Sequence, residues 1–171
     1  MDTIVSMSFP QSKVSELVQQ LADKLIAKKL IISTAESCTG GWIAQSLTDL
    51  AGSSAWFDTG FITYSNEAKQ RLLEVPAAFF DFDGPGAVSE ETVLAMTKGA
   101  ISNSRANVAV AVSGVAGPEG GSDEKPVGTV WIACQWEEKT FVQRFMFAGN
   151  RRAVRLAALE TALVCSLNLV T

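Results

Sequence analysis

Ser37 lies in a polar, glycine-rich segment that directly follows a short apolar, β-branched run. A run of that kind predicts a buried strand, which places Ser37 in a strand-to-helix turn. Backbone N–H groups at the start of the following helix, at Thr39, Gly40 and Gly41, can bind an oxyanion or a phosphate. The alternative is that the hydroxyl of Ser37 or Thr39 only caps this helix. This motif alone favours the alternative, because Ser and Thr are common N-cap residues.

A second segment contains the only tyrosine of the chain, Tyr64, and Lys69 five residues later. A lysine amine removes a serine proton only in its neutral form, which requires burial or a nearby cation to lower its pKa. Placed near Ser37, Lys69 could act as the base, and Tyr64 could relay a proton or donate a hydrogen bond. In isolation, the residues favour the alternative of a solvated Lys69 and a strand-end Tyr64.

Two further segments have the composition of anion-binding sites. Glycines are concentrated between positions 113 and 121, after another apolar run, and the backbone of such a loop can cradle a phosphate or ribose. A plain loop explains these glycines equally well. Arg151 and Arg155 lie on one face of a predicted helix, near its N-terminus, where positive charge is unfavourable. They indicate an anionic ligand or acidic partner, or else a solvated face paired with carboxylates such as Glu160.

The 171-residue chain contains no histidine, and this absence excludes whole classes of site. Ser-His-Asp and Cys-His nucleophiles and imidazole metal ligands are excluded, so acid–base chemistry falls to Lys, Tyr, Cys or carboxylates. The net charge of -4 argues against a broad nucleic-acid or anionic-membrane surface. Cys38, Cys134 and Cys165 show no CxxC spacing, which predicts reduced thiols in a cytoplasmic protein. For Cys38 a buried thiol is favoured over a nucleophile.

The elements that must position these residues alternate between strands and helices. The patterns predict strands over 30–34, 57–64 and 108–112, and a hairpin of 127–136 with 140–147. They predict helices over 41–50 and over 66–74, the second capped by Ser65 or Asn66. Three further helices are predicted to be capped by Ser12, Ser89 and Asn150, and the last of them continues to residue 167.

This order predicts one domain over residues 1–171, with residues 1–10 flexible. The predicted fold is α/β, a three-layer α/β/α sandwich with a mixed, mainly parallel sheet. Ligands usually bind at the carboxyl ends of parallel strands, so the three polar loops are expected to converge there. Neither a signal peptide nor an apolar run long enough to span a membrane is expected.

Four segments together resemble the CinA C-terminal domain family over about residues 13–168. These are Thr34–Gly41, Gly60–Lys69, Gly86–Ser89, and Ser113–Gly121 followed by Lys125–Val130. The chain is most similar to the stand-alone amidases of the family, and the additional N-terminal domain of longer members is not expected.

The resemblance implies that the carboxamide of nicotinamide mononucleotide is hydrolysed to nicotinate mononucleotide and ammonia, without a metal or cofactor. The family nucleophile falls on Ser37, the general base on Lys69 and the assisting tyrosine on Tyr64. We assign oxyanion binding to the backbone of Thr39, Gly40 and Gly41. The candidate substrate-binding residues are Asn66, Ser113, Gly114, Gly117, Gly120, Gly121, Arg151 and Arg155. One departure is Asn150, where members often carry an aspartate.

The expected partner is a small nucleotide substrate, with no direct contact to nucleic acid or membrane, and the chain is expected to form a homo-oligomer, with a dimer favoured. CinA-type proteins are also linked to competence and DNA damage, so the alternative function is a regulatory binding module without catalysis. The joint presence of Ser37, Tyr64 and Lys69 favours the enzyme, because a scaffold needs none of them.

Overall fold

The structure, a computed structural model, describes residues 13–171. The predictions for the Ser12 cap and for residues 1–10 lie outside this part. The helices are α1 (Lys13–Lys28), α2 (Trp42–Thr48), α3 (Asn66–Leu73), α4 (Glu90–Ser102) and α5 (Arg151–Val170). The strands are β1 (Ile32–Glu36), β2 (Phe57–Ile62), β3 (Val108–Gly114), β4 (Thr129–Trp136) and β5 (Lys139–Met146). Single 3₁₀ turns cover Ser53–Ala55 and Ala77–Phe80.

The described strands form one five-stranded sheet in the order β2-β1-β3-β4-β5. β1 pairs in parallel with β2 on one side and with β3 on the other. β4 and β5 add to β3 as an antiparallel hairpin. The predicted α/β class and mixed sheet are confirmed. The carboxyl ends of the three parallel strands lie at one edge of the sheet, where the polar loops begin.

The alternating Val and Ala side chains of β3 separate the two faces of the sheet. Val108, Val110 and Val112 pack into the larger core with α1, α2 and α5. Ala109 and Ala111 point to the opposite face and pack with α3 and α4. A strand alternates its side chains between faces, so the small alanines leave room for helices to approach the sheet closely. The result is the predicted three-layer arrangement.

Side-chain hydrogen bonds begin three of the helices at predicted positions. Ser65 accepts from the N–H of Ala68, Ser89 from that of Thr92, and Asn150 from that of Ala153. The position of β1 differs from the prediction, because it runs to Glu36 rather than ending at residue 34. The last two residues of β1 belong to both parallel ladders, so pairing with β2 and β3 extends the strand beyond its apolar run.

α5 is the longest of the described helices and is rich in apolar residues. Within residues 13–171 it is the one helix with sufficient length and apolar composition to span a membrane. Its buried stripe includes Val154, Leu159 and Leu163 and packs into the larger core, as in the core helix of a globular protein.

α3 and α4 touch backbone to backbone at Gly99. A Cβ built on Gly99 would lie 2.0 Å from the carbonyl oxygen of Leu73, at the end of α3. Such a distance is not tolerated, so an added methyl group must push the two helices apart. Because α3 also carries Lys69, this contact helps to determine how close the candidate catalytic side chain of Lys69 lies to the sheet.

We predict that Gly99→Ala destabilises the protein by about 1–3 kcal/mol, as expected for overpacking, although alanine is the better helix former by about 1 kcal/mol. Urea unfolding of wild type and variant measures the change. Ser102→Ala, at an exposed position of the same helix, is the control and should stay within about 0.5 kcal/mol. A Gly99→Ala protein as stable as wild type would contradict the close contact.

Candidate active site

Ser37 is the first residue after β1 and is held by the sheet. Its N–H donates to the carbonyl of Val112 on β3 at 3.0 Å, which continues the parallel ladder by one residue. The side chain is 8% exposed. The sheet therefore fixes the backbone before Ser37, and the backbone after Ser37 forms the turn that leads into α2.

Lys69 reaches Ser37 from the second turn of α3. Although it is a lysine, its side chain is only 1% exposed. Its Nζ lies 3.0 Å from Ser37 Oγ, 2.7 Å from the carbonyl oxygen of Thr63 and 3.1 Å from that of Tyr64. The alternative of a solvated Lys69 is wrong, and the chain brings the lysine and the serine into direct contact.

Burial lowers the pKa of Lys69 from 10.5 to about 8. Removal of the ammonium group from water disfavours its charged form, and only the weaker influence of Cys38 opposes this effect. At pH 7, about a tenth of the molecules then carry the neutral amine. A lysine in this state can act as a general base.

The two carbonyl groups around Lys69 also orient the amine. A neutral amine has two N–H donors and one lone pair, and the carbonyls of Thr63 and Tyr64 accept both donors. The third direction points to Ser37 Oγ, so in this state the serine hydroxyl donates to the lone pair. Protonation of Lys69 reverses that hydrogen bond. The geometry therefore fits a base that takes the proton of Ser37.

Ser37 and Lys69 line a cavity of about 200 Å³. Its remaining walls come from the loops after β2 and β3, from the segment before α4 and from the first turn of α5. The lining residues are Ser37, Cys38, Tyr64, Lys69, Ala87, Val88, Ser113, Gly114, Ala116 and Arg151. The predicted convergence of polar loops at the carboxyl ends of the parallel strands is confirmed by this arrangement.

Arg151 and Tyr64 form the rim of the cavity. The guanidinium group of Arg151 donates to the Tyr64 hydroxyl at 3.1 Å and to the carbonyl of Gly117 at 2.8 Å. Tyr64 is 62% exposed, so its ring stands at the mouth rather than in the core. Because its oxygen accepts from Arg151, the hydroxyl proton of Tyr64 is free to point elsewhere.

The α2 N-terminus is occupied by a side chain of the protein itself. The Glu36 carboxylate accepts hydrogen bonds from the N–H groups of Gly41, Ile43 and Ala44. The N–H of Gly40 donates to the carbonyl of Ser37. The amides of Gly40 and Gly41 therefore already have acceptors, which does not fit the oxyanion role that we assigned to them. The alternative of a Ser37 or Thr39 cap is also wrong, because Glu36 takes that place.

Arg155 binds the backbone of the turn between β1 and α2 and does not point into the cavity. It donates to the carbonyls of Cys38 and Thr39, both at 3.0 Å, and its guanidinium lies over the ring of Trp42. Together with Gly40 and Gly41 it lines a neighbouring groove. The proposed pairing of the arginines with Glu160 is wrong, because Glu160 forms its ion pair with Lys13.

The other predicted substrate residues differ in their distance from the cavity. Ser113 and Gly114 line it, and the Ser113 hydroxyl donates to the carbonyl of Ala87. Asn66 is an exposed residue at the start of α3, and Gly120 and Gly121 lie on the exposed part of their loop. None of these last three lines the cavity.

Three apolar residues of the cavity wall, Ala87, Val88 and Ala116, were not among the predicted site residues. They carry no chemical signature, and only the fold places them beside Ser37. Glu36 was also missed as a site residue. A signal for it was present, since it is a charged side chain at the end of an otherwise buried strand.

Cys38 lines the cavity beside Ser37 but is not a competing nucleophile. Burial raises the pKa of its thiol to about 12, so the reactive thiolate is scarce near neutral pH. All three cysteines are free and buried, as predicted for Cys38. Among residues 13–171, no three Cys, Asp or Glu side chains come together in a way that could hold a metal ion.

A sequence model of the CinA C-terminal domain matches residues 14–170. The chain belongs to the CinA C-terminal domain family. It is 48% identical to the nicotinamide-nucleotide amidohydrolase PncC of Escherichia coli K12 over 153 residues, 89% of this chain and 92% of that protein. The PncC protein of Pseudomonas putida is 49% identical over 150 residues, 88% of this chain and 92% of its own.

A solved structure of the CinA family superposes on nearly the whole chain. It is the competence/damage inducible protein CihA from Agrobacterium tumefaciens, with a TM-score of 0.91 and 43% identity, covering 96% of this chain and 100% of that one. The resemblance seen in the sequence is thus confirmed. Asn150, the departure from the family pattern, retains the capping function because its Oδ1 accepts from the N–H of Ala153 at 3.0 Å.

The lowered pKa of Lys69 predicts how the stability of this CinA-family chain depends on pH. The unfolded chain holds the lysine proton up to pH 10.5, but the folded protein releases it near pH 8. Between these values the unfolded state binds more protons, so stability rises with pH. We predict that the free energy of unfolding of wild type, relative to Lys69→Met, increases from pH 8 to pH 10.5.

Denaturant unfolding at several pH values measures this difference. Lys98→Met replaces an exposed lysine of α4 and controls for the removal of one positive charge. A wild-type curve that stays parallel to that of Lys69→Met throughout this pH window would contradict the lowered pKa.

Proposed function

We propose that this protein hydrolyses the carboxamide of nicotinamide mononucleotide to nicotinate mononucleotide and ammonia, with Ser37 as nucleophile and Lys69 as general base. The substrate is proposed from the names of the PncC relatives, which match almost their full length. The mechanism is carried by one observation, the 3.0 Å contact between Lys69 Nζ and Ser37 Oγ inside a cavity.

Acylation begins with the neutral amine of Lys69. As Ser37 Oγ attacks the carboxamide carbon, its proton passes to Lys69 Nζ. The resulting ammonium group is stabilised by the carbonyls of Thr63 and Tyr64, which already accept two of its protons. The C–N bond then breaks, and Lys69 returns its extra proton to the departing ammonia. The products of this step are an acyl ester on Ser37 and a neutral Lys69, ready for a second cycle.

In deacylation Lys69 acts as the base a second time, now toward water. Lys69 removes a proton from a water molecule that attacks the acyl carbon, and then returns it to Ser37 Oγ. Nicotinate mononucleotide is released as the carboxylic acid and gives its remaining proton to water, which yields the carboxylate. Because one lysine is alternately base and acid, a pKa near the working pH serves both steps.

Negative charge on the substrate oxygen needs donors that remain available. The amides of Gly40 and Gly41 are engaged, so the donors that we propose are the Tyr64 hydroxyl and the Arg151 guanidinium at the cavity rim, with the amide of Thr39 still a candidate. An oxyanion donor typically contributes about 3 kcal/mol to the transition state. Arg151 holds Tyr64 in place by donating to its oxygen.

The cavity volume of about 200 Å³ suits only part of the substrate. Pockets that hold whole drug-sized ligands are about 300–1,000 Å³. We place the pyridine carboxamide inside, between Ser37 and Ser113, and the ribose and phosphate outside, toward Arg151 and the loop that contains Gly117. We also propose a cytoplasmic location, in accord with three free cysteines.

Adjacent residues give a matched pair of variants for the nucleophile. Ser37→Ala should reduce ammonia release from nicotinamide mononucleotide by at least about 10³-fold, as expected when a covalent nucleophile is removed. Cys38→Ala should retain activity within a few-fold, because its thiol stays protonated. Ammonia release by purified, folded proteins measures both. A Ser37→Ala protein with wild-type activity would contradict the assignment of Ser37 as the nucleophile.

The pH dependence of kcat/KM tests the base. Its rising limb should have a midpoint near pH 8, because kcat/KM follows ionisation in the free enzyme and only neutral Lys69 is active. Lys69→Met should abolish activity at every pH, whereas Lys98→Met should leave the profile unchanged. A rising limb centred near pH 6 would point to a carboxylate base instead.

The same assay separates the enzyme from the regulatory binding module. Tight binding of nicotinamide mononucleotide by wild type without ammonia release would support a module that only senses the nucleotide. Release that depends on both Ser37 and Lys69 supports the enzyme.

A further inference from the structure

Glu36 is a charged side chain with no exposure to solvent, in the centre of the fold and beside the nucleophile. Its Oε2 accepts from the N–H groups of Gly41 and Ile43 at 3.0 and 3.1 Å, and its Oε1 from that of Ala44 at 2.8 Å. A carboxylate is costly to bury, and three amide donors at a helix N-terminus offset that cost. The mechanism proposed above does not use this group.

The backbone of Glu36 is fixed on both sides. It is paired with Ile62 of β2 and Val112 of β3, and its carbonyl accepts from the N–H of Thr63 at 2.8 Å. The side chain therefore connects an immobile strand end to the first turn of α2. The chain between these two points is the turn that carries Ser37.

We propose that Glu36 is a positioning residue for the nucleophile: its carboxylate ties the first turn of α2 to the end of β1 and thereby holds Ser37 Oγ within reach of Lys69. This inference rests on the proposed role of Ser37. It differs from an oxyanion or phosphate site, because the helix amides that could bind such an anion are already bonded to Glu36.

Arg155 acts on the same turn from the other side. Its Nε and one terminal nitrogen donate to the carbonyls of Cys38 and Thr39, so the carbonyls of the turn bind a cation while the amides of α2 bind an anion. Because Ser37 lies at the start of this turn, we expect a displacement of α2 to lengthen the 3.0 Å distance between Ser37 Oγ and Lys69 Nζ. For a reacting group, misplacement by about 1 Å can cost about 10²-fold in rate.

Glu36→Gln tests the proposal, because it keeps the shape of the side chain but turns one acceptor oxygen into an N–H₂ donor that faces an amide donor. We expect kcat for ammonia release to fall at least tenfold, with KM within threefold of wild type. Phenylmethanesulfonyl fluoride provides a second readout that needs no nucleotide. Its sulfonylation of Ser37, with loss of fluoride, should slow by a similar factor and is measured by mass spectrometry.

Ile32→Val is the matched control, because Ile32 is a fully buried residue at the start of the same strand, and its truncation costs stability without removing a hydrogen bond to α2. Both variants are assayed well below their unfolding temperatures. A Glu36→Gln enzyme with the kcat and sulfonylation rate of Ile32→Val would overturn the proposal, and so would a loss confined to KM. Glu36→Asp, which keeps the charge but withdraws it by one methylene, is the second variant if Glu36→Gln does not fold, and the same outcomes apply to it.

The two readouts separate this proposal from the proposed reaction. If wild type releases no ammonia but Ser37 is sulfonylated, the assignment of substrate fails and the positioning role is still judged by the relative rates of sulfonylation. Equal rates in wild type, Glu36→Gln and Ile32→Val would then refute it.

Discussion

The contact between the Lys69 amine and the Ser37 hydroxyl depends on keeping water away from a lysine. In water this amine is protonated at neutral pH and cannot accept the serine proton. Burial lowers its pKa to about 8, and the carbonyls of Thr63 and Tyr64 take the place of the lost water. In a chain without histidine, this arrangement supplies a base near neutral pH from a side chain that normally lacks that capacity.

The rest of the fold serves to place these two groups. β1 lies between β2 and β3, so Ser37 begins its turn from a strand that is paired on both sides. α3 brings Lys69 from the opposite layer, and its depth is set by the close approach to α4 at Gly99. The small alanines of β3 let this helix layer lie close to the sheet. Both groups thus depend on packing that lies well outside the cavity.

Patterns in the sequence predicted the architecture and several cap residues well, because hydrophobic periodicity and Ser or Asn caps are local signals. The candidate roles of Ser37, Tyr64 and Lys69 came from the family resemblance, since local propensity alone favoured a capping serine and a solvated lysine. Ala87 and Val88 were out of reach because only tertiary contacts bring them to the cavity. Glu36 was missed although its charge at the end of a buried strand was a signal, and Arg155 was predicted for the substrate rather than for the turn. The partners of both side chains are backbone groups, which the sequence does not identify.

The most direct test of the account is the titration of Lys69 itself, observed by NMR in protein labelled with ¹³C at the lysine Cε and assigned with Lys69→Met. We predict that one lysine resonance titrates with a midpoint near pH 8 and disappears in Lys69→Met. A Lys69 resonance with a midpoint near 10.5, the ordinary value, would show that the amine is not neutral in the working range and would contradict the proposed activation of Ser37.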